Sequence, residues 1–146
     1  MPNHNKKKVI EHYTELGERI YDLRYAVEQQ EKYKVILNEI EKIGLILDNG
    51  CGTGLLLPYI DEDLVAIDIS SVLLGKAKKR KKENQHLVNG DSEHLPFKNS
   101  MFDSVISVTV IQNLISPRKF TVEGIRVVKP GSTIIISSLK RTSTIS

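Results

Sequence analysis

The chain has one cysteine, no tryptophan and no long hydrophobic run. Cys51 has no Cys or His partner at metal-ligand spacing and cannot form an internal disulfide, so we expect neither a disulfide framework nor a zinc site. No apolar run approaches the length of a membrane span. The start of the chain, Met1 to Lys8, is polar and basic with no apolar segment behind it, unlike a secretion signal. These absences favour a cytoplasmic protein in a reducing compartment.

The 146 residues, 40% of them hydrophobic, suit one domain with a core built around a sheet. We therefore expect a single domain over residues 1–146, with an N-terminal helical segment over 1–43 that packs on the core or forms a lid, and a βαβ core over 44–139. The net charge of +3 permits polyanion binding without requiring it.

Helical periodicity marks the N-terminal part of the chain. Apolar residues recur at intervals of three and four residues from Asn5 to about Tyr21, and again from about Ala26 to Ile43. This spacing predicts two amphipathic helices, and Gly44 is expected to end the second. Between them, Tyr21 to Tyr25 is expected to be a break or a bend. Aromatic residues at helical spacing usually belong to a core, with a mobile lid as the alternative. The tyrosines concerned are Tyr13, Tyr21, Tyr25 and Tyr33.

After Gly44, short apolar runs alternate with helical segments, which is typical of βαβ units. The pattern predicts a doubly wound, Rossmann-like α/β sheet of about five parallel strands, with the first strand at the switch point. The predicted strands are Leu45 to Asp48, Leu64 to Ile69, His86 to Asn89, Ser104 to Val108 and Thr133 to Ser138. The predicted helices are Gly54 to Ile60, Ser71 to Lys82 and Pro117 to Val128, with Ser70 and Ser116 as caps and a turn at Lys129 to Gly131.

Three alternate glycines, Gly50, Gly52 and Gly54, follow the first predicted strand directly. Such a loop lets a backbone take a positive φ and lets a ligand approach closely. A dinucleotide fingerprint would need its third glycine at position 55, where the chain has Leu55. Asp48, just before the loop, would repel a pyrophosphate but attract an ammonium or sulfonium. The loop therefore predicts a cationic nucleoside as the ligand.

Acidic residues also follow the next two predicted strands. Asp68 ends the second strand, where a carboxylate can accept hydrogen bonds from both hydroxyls of a ribose. Asp91 and Ser92 follow the third strand and can accept from an exocyclic amine. Each acid by itself could equally be a turn or cap residue. Three of them at consecutive strand ends favour a shared binding site.

These segments resemble the class I S-adenosylmethionine-dependent methyltransferases, particularly the small-molecule type that includes the ubiquinone and menaquinone biosynthesis enzymes. The matching segments occur in the family's order from about Ile43 to Leu139. They are Leu47 to Gly54, Ala66 to Ser70, Asn89 to Phe97, Met101 to Val105 and Arg126 to Gly131.

The resemblance implies S-adenosylmethionine as cofactor, S-adenosylhomocysteine as product and a small molecule as methyl acceptor. It also implies where the cofactor lies. The implied contacts are Asp48, Gly50 and Gly52 for the methionine part, Asp68 for the ribose, Ile69, Asp91 and Ser92 for the adenine, and Val108 and Thr109 beside the sulfonium and the substrate entrance. Cys51 lies inside the same glycine loop of the cofactor site, where its small size suits a spacer rather than a nucleophile.

The chain departs from this family in two places. After the fourth strand it has Gln112 and Asn113, where the family often has an aromatic or His pair, and we therefore assign no catalytic base, although His86 and His94 are candidates by type. The family's sheet has seven strands, the last two antiparallel, and this pair is expected to be missing here. The fifth strand would then be an apolar edge, and we expect a second copy, a partner protein or the N-terminal helices to cover it.

Two other functions remain open on the sequence. The basic run at Lys76 to Lys82 is explained by a solvated helix end, but with Lys6 to Lys8 it could also face RNA, although no aromatic residues are interleaved for base stacking. An RNA or protein methyltransferase is thus the first alternative. The second is a non-catalytic cofactor-binding subunit that supports a partner.

Overall fold

The described residues contain one parallel sheet of five strands. The computed structural model describes residues 5–10, 30–31, 33–40, 44–108 and 114–137. The strands are β1 (Leu45–Asn49), β2 (Asp63–Asp68), β3 (Gln85–Asn89), β4 (Phe102–Val108) and β5 (Val128–Ser137). Their order is β3-β2-β1-β4-β5, and every neighbouring pair is parallel. The predicted fold is confirmed, with β1 central and the order reversing between β1 and β4.

Two helices connect strands of this sheet, α1 (Ser71–Arg80) and α2 (Pro117–Val127). Both predicted caps are confirmed: Ser70 Oγ accepts from Leu73 N, and Ser116 Oγ accepts from Lys119 N, at 3.2 Å each. Each cap satisfies an amide that has no partner within its helix. No helix in the described ranges is long and apolar enough to cross a membrane.

The predicted helix from Gly54 to Ile60 is wrong. The chain forms only a 3-10 turn there, Leu57–Tyr59. Pro58 has no amide hydrogen to donate to the carbonyl of Gly54, and Leu57 N donates to that carbonyl instead, at 3.1 Å. Hydrogen bonds three residues apart tighten the segment and stop an α-helix from starting.

The last strand begins earlier than predicted. It pairs with β4 from Val128 onward, and its register shifts between Phe102 and Ser104. The turn expected at residues 129–131 is therefore an irregularity within the strand, where Gly131 takes a φ of +79°. Ser138, the predicted end of this strand, lies outside the described residues.

The N-terminal predictions are only partly covered by the described residues. Residues 5–10 and 33–39 are helical, while residues 11–29 and 41–43 lie outside the description, together with the expected break and Tyr13, Tyr21 and Tyr25. Tyr33 is buried, with its ring centroid 6.0 Å from that of Tyr59. It belongs to the core, as the packing interpretation expected.

The sheet separates two apolar clusters. On one face, α1 and residues 33–40 pack against β1, β2 and β4, through Ile36, Ile40, Ile46, Leu64, Ala66, Leu74, Ala77 and Ile106. On the other face, α2 and the loop after β3 pack against the same strands, through Leu47, Val65, Ile67, Leu95, Phe102, Val105 and Val127. The chain is therefore doubly wound, with both faces of the sheet covered.

We expect Gly54→Ala to destabilise the protein strongly, because Gly54 has a φ of +79° and an added Cβ would lie 2.9 Å from the side chains of Ala77 and Leu57. The loss should be about 1–3 kcal/mol in the free energy of unfolding. Gly75→Ala, in α1, is the matched control, since an added Cβ there meets nothing within 4 Å and should be neutral or stabilising. Urea unfolding of both variants measures the difference, and equal stabilities would contradict the packing described for Gly54.

Candidate functional site

Three acidic side chains lie at the carboxyl edge of the sheet. Asp48 is near the end of β1, Asp68 ends β2, and Asp91 follows β3, whose neighbour in the sheet is β2. Asp48 is paired in register with Ala66, so Asp68 lies two residues further along and on the same face of the sheet. The parallel sheet thus brings together acids that are far apart in sequence.

Asp48 carries a buried carboxyl group. The residue is 3% exposed, and its side chain makes no hydrogen bond or ion pair with the described part of the chain. Burial, and then the negative charge of Asp68, raise its pKa to about 7. A buried charge normally requires a partner of opposite sign. The position of Asp48 is therefore suited to a cationic ligand group.

The glycine loop uses its own amides internally. Gly50 N and Cys51 N both donate to the carbonyl of Ile67, at 2.8 and 3.0 Å, and Gly52 N donates to Asp68 Oδ2 at 2.8 Å. These amides do not form a cradle for a phosphate. The loop permits close approach because its glycines have no side chain, with a φ of +89° at Gly50 and +56° at Gly52.

Asp68 links this loop to the next helix. Its Oδ1 accepts from Ser70 N at 2.9 Å, while Oδ2 accepts from Gly52 N. Burial raises the pKa of Asp68, and hydrogen bonds from the amides of Ser70, Gly52 and Ile69 oppose the shift. A carboxylate has about four acceptor positions, so Asp68 can still accept from a further donor. Ile69, half-buried, follows Asp68 directly.

Asp91 is surrounded by donors. Its Oδ1 accepts from Glu93 N at 2.9 Å, and its Oδ2 contacts the ammonium of Lys6 and lies 3.2 Å from Nδ1 of His94. Burial raises the pKa of Asp91, but the hydrogen bonds from Lys6, Glu93 and His94 outweigh it and hold the pKa below its ordinary value. Ser92, the next residue, is buried.

The two histidines that were candidates for a catalytic base are both exposed. His94 lies beside Asp91, and His86 lies on β3.

The loop after β3 is also fixed from α2. Arg126 donates to both carboxylate oxygens of Glu123 and to the carbonyls of Leu95 and Phe97, at 2.6 to 3.2 Å. Glu123 in turn accepts from Leu95 N at 2.9 Å. Sequence reasoning placed Arg126 in a matching motif but missed this role, because the partners are about thirty residues away in sequence.

The other predicted site residues lie around the same edge. Cys51 is buried, and its pKa is raised well above the ordinary value by burial and by the charges of Asp48 and Asp68, which does not suit a nucleophile. Val108 is buried at the end of β4. Thr109, Gln112 and Asn113 lie outside the described residues.

A family model described as a methyltransferase domain matches residues 47–136, which include the glycine loop and all three acids. The chain belongs to this family, the S-adenosylmethionine-dependent methyltransferases. The predicted membership is confirmed.

Individual relatives agree with this assignment. The chain is 34% identical to the malonyl-[acyl-carrier protein] O-methyltransferase of Marinomonas sp., over 71% of this chain and 41% of that protein. It is 37% identical to the demethylmenaquinone methyltransferase of Paenarthrobacter aurescens, over 63% of this chain and 37% of that protein. The chain therefore spans about two fifths of the length of these curated relatives.

Solved structures of methyltransferases have a similar fold. A methyltransferase of Thermotoga maritima, described as a possible histamine N-methyltransferase, superposes with a TM-score of 0.73 at 20% identity, over 88% of this chain and 59% of its own. At this identity the likeness concerns the fold alone.

We expect Asp48→Asn to stabilise the ligand-free protein in a pH-dependent way. The folded pKa of about 7 exceeds the ordinary value of 3.8, so the penalty of the buried charge grows as the pH rises from 3.8 to 7 and is constant above. The stabilisation should be larger at pH 8 than at pH 5 by roughly 2–3 kcal/mol. Urea unfolding at both pH values measures it. Asp63→Asn, at the exposed start of β2, is the control, and a pH-independent effect of Asp48→Asn would contradict the raised pKa.

Proposed function

We propose that this chain binds S-adenosylmethionine across the carboxyl ends of β1, β2 and β3 and transfers its methyl group to a small-molecule acceptor. The observation that carries the proposal is Asp48, a buried carboxylate with no partner in the described residues. The cofactor supplies a methyl group on a sulfonium and also carries an ammonium. Either cation would compensate the charge that the fold buries at Asp48.

In the proposed arrangement, the cofactor runs along the strand ends. Its methionine part would lie at Asp48 and over Gly50 and Gly52, with Cys51 as a small residue between the glycines. The ribose would donate a hydroxyl hydrogen bond to Asp68, which has acceptor capacity left beside its three amide donors. The adenine would pack on Ile69 and donate its amine at Asp91, next to Ser92, and the buried Val108 would border the substrate entrance.

Methyl transfer from a sulfonium needs little catalytic apparatus from the protein. The leaving group is already activated, so placing the acceptor in line with the methyl group and excluding water can supply much of the acceleration. This fits a site in which burial and positioning dominate. We assign no general base, because neither His86 nor His94 is buried at the proposed methyl position.

An RNA substrate remains the second candidate. Curated relatives named 18S rRNA (guanine-N(7))-methyltransferase favour it, at 32% identity over 77% of this chain for the mouse protein. The basic surface that it would use is smaller than the sequence indicated, because Lys6 is buried against Asp91 instead of extending the lysine cluster of α1. A non-catalytic subunit, the third candidate, would keep the cofactor site and lack turnover.

Calorimetry with S-adenosylmethionine tests the proposed site. Asp68→Ala should weaken binding by roughly tenfold to a hundredfold, because a hydrogen bond to a charged acceptor, worth about 1.5–3 kcal/mol, is lost. Asp63→Ala, at the other end of the same strand, should bind as the wild type does. Absence of heat with the wild-type chain, or equal affinities for the two variants, would contradict the proposed cofactor site.

Transfer of a radioactive methyl group separates the three functions. Labelled small molecules from a metabolite extract, with total RNA and protein unlabelled, are the expected result. Labelled RNA would favour the second candidate. Cofactor binding without transfer to any fraction would favour the non-catalytic subunit.

We propose further that a second copy of the chain covers the outer edge of β5. Within the described residues β5 pairs only with β4, and Ile136 on it is 38% exposed. Val122 and Ile125 on α2 are also exposed. A long apolar edge of this kind is a site of strand pairing.

A cytoplasmic location of the protein remains a prediction from the sequence.

Light scattering after size exclusion tests this interface. The wild-type chain should be a dimer, and Ile136→Lys should shift it toward the monomer because it places a charge in the interface. Val35→Lys, at a residue 64% exposed on a different segment, should leave the dimer intact. A monomeric wild type whose amides at 133–137 exchange rapidly with solvent would contradict the proposal.

A further inference from the structure

Lys6 contacts the proposed adenine site, although it lies 85 positions before Asp91 in the sequence. The residue lies in the helical segment 5–10 and is only 8% exposed, whereas its neighbours Lys7 and Lys8 are exposed. Its ammonium contacts Asp91 Oδ2 and lies 3.5 Å from Glu93 Oε2. The Glu93 side chain is itself buried, so Lys6 is the cation that compensates two carboxylates of this loop.

These contacts limit what Asp91 can still bind. Lys6 and His94 occupy Oδ2, and the amide of Glu93 occupies one position on Oδ1. Counted over the described residues, one of the about four acceptor positions of this carboxylate is left, and it is on Oδ1. Asp91 is therefore held in one orientation with one open acceptor position.

The charge of Asp91 determines which partner that position accepts. Although burial raises its pKa, the hydrogen bond from Lys6 is the largest of the opposing effects, and the pKa lies below its ordinary value. An ionised carboxylate is an acceptor only, so it accepts from an amine and repels a carbonyl oxygen. Without the lysine, the largest of these opposing effects is lost, so the pKa of Asp91 moves upward, and Oδ2 loses the contact that helps to fix the orientation of the carboxylate.

We propose that Lys6 is a positioning residue that gives the cofactor site its preference for a 6-amino purine over a 6-oxo purine, by holding Asp91 as a single oriented acceptor. The inference rests on the proposed cofactor site. It assigns a function to a segment outside the matched family range of residues 47–136. Cofactor recognition would then require the N-terminal segment to be docked on the loop after β3.

The test compares two ligands by calorimetry, S-adenosylhomocysteine and S-inosylhomocysteine, which differ in the amine or carbonyl at position 6 of the purine and in the hydrogen that the 6-oxo purine carries on N1. The wild type should prefer the adenine ligand. Lys6→Met should reduce the ratio of the two affinities by roughly tenfold, as expected for a hydrogen bond to a charged group. Lys6→Arg keeps the charge and a donor and should retain most of the preference. Lys7→Met, at the exposed neighbour, should change neither affinity.

A double-mutant cycle separates positioning from general destabilisation. In an Asp91→Ala background, Lys6→Met should no longer change the ratio, because the acceptor on which it acts is gone. Circular dichroism checks the folding of each variant, and Lys6→Gln, which keeps a donor without the charge, replaces Lys6→Met if the latter does not fold.

The outcomes distinguish this inference from the cofactor site on which it rests. A wild type that binds neither ligand overturns the cofactor site and the inference together. A wild type that prefers adenine, with Lys6→Met weakening both ligands equally or neither, overturns the role of Lys6 alone.

Discussion

The burial of two carboxylates on one face of the sheet is the constraint on which the site depends. Asp48 lies one residue before the end of β1, Asp68 ends the neighbouring β2, and burial raises the pKa of both carboxyl groups. Asp68 offsets part of that cost with the amides of Gly52 and Ser70, which also fixes the glycine loop and the start of α1. Asp48 receives no such compensation within the described residues. The negative charge of Asp48 is therefore disfavoured until a cation, such as that of the proposed cofactor, lies beside it.

The loop after β3 shows a second way of organising the site. It is held from two directions, by Lys6 of the N-terminal segment on Asp91 and by Arg126 of α2 on the carbonyls of Leu95 and Phe97. Both cations also pair with a glutamate, Glu93 or Glu123. A loop has few backbone hydrogen bonds of its own, so such fastening gives it a defined shape. The shape of this part of the proposed site therefore depends on elements on both sides of it.

Local sequence patterns, that is, apolar periodicity and helix-capping residues, made much of the fold predictable. Alternating apolar runs and helical segments indicated five parallel strands, and Ser70 and Ser116 marked helix starts that the structure confirms. The errors came where local preference competed with pairing. Pro58 and the glycine loop reduced a predicted helix to one 3-10 turn, and pairing with β4 extended β5 across residues 129–131, which look like a turn in isolation.

The sequence by itself determined the family, the topology and the acids at the strand ends, because a strand, a glycine turn and a following helix place those residues through local geometry. Only the tertiary structure decided that the loop amides are used internally, that the Asp48 side chain has no partner among the described residues and that Lys6 is buried against Asp91. These features depend on contacts between residues up to 85 positions apart. Residue spacing along the chain carries no signal of such contacts, since a lysine near the N-terminus looks the same whether it is solvated or buried in an ion pair.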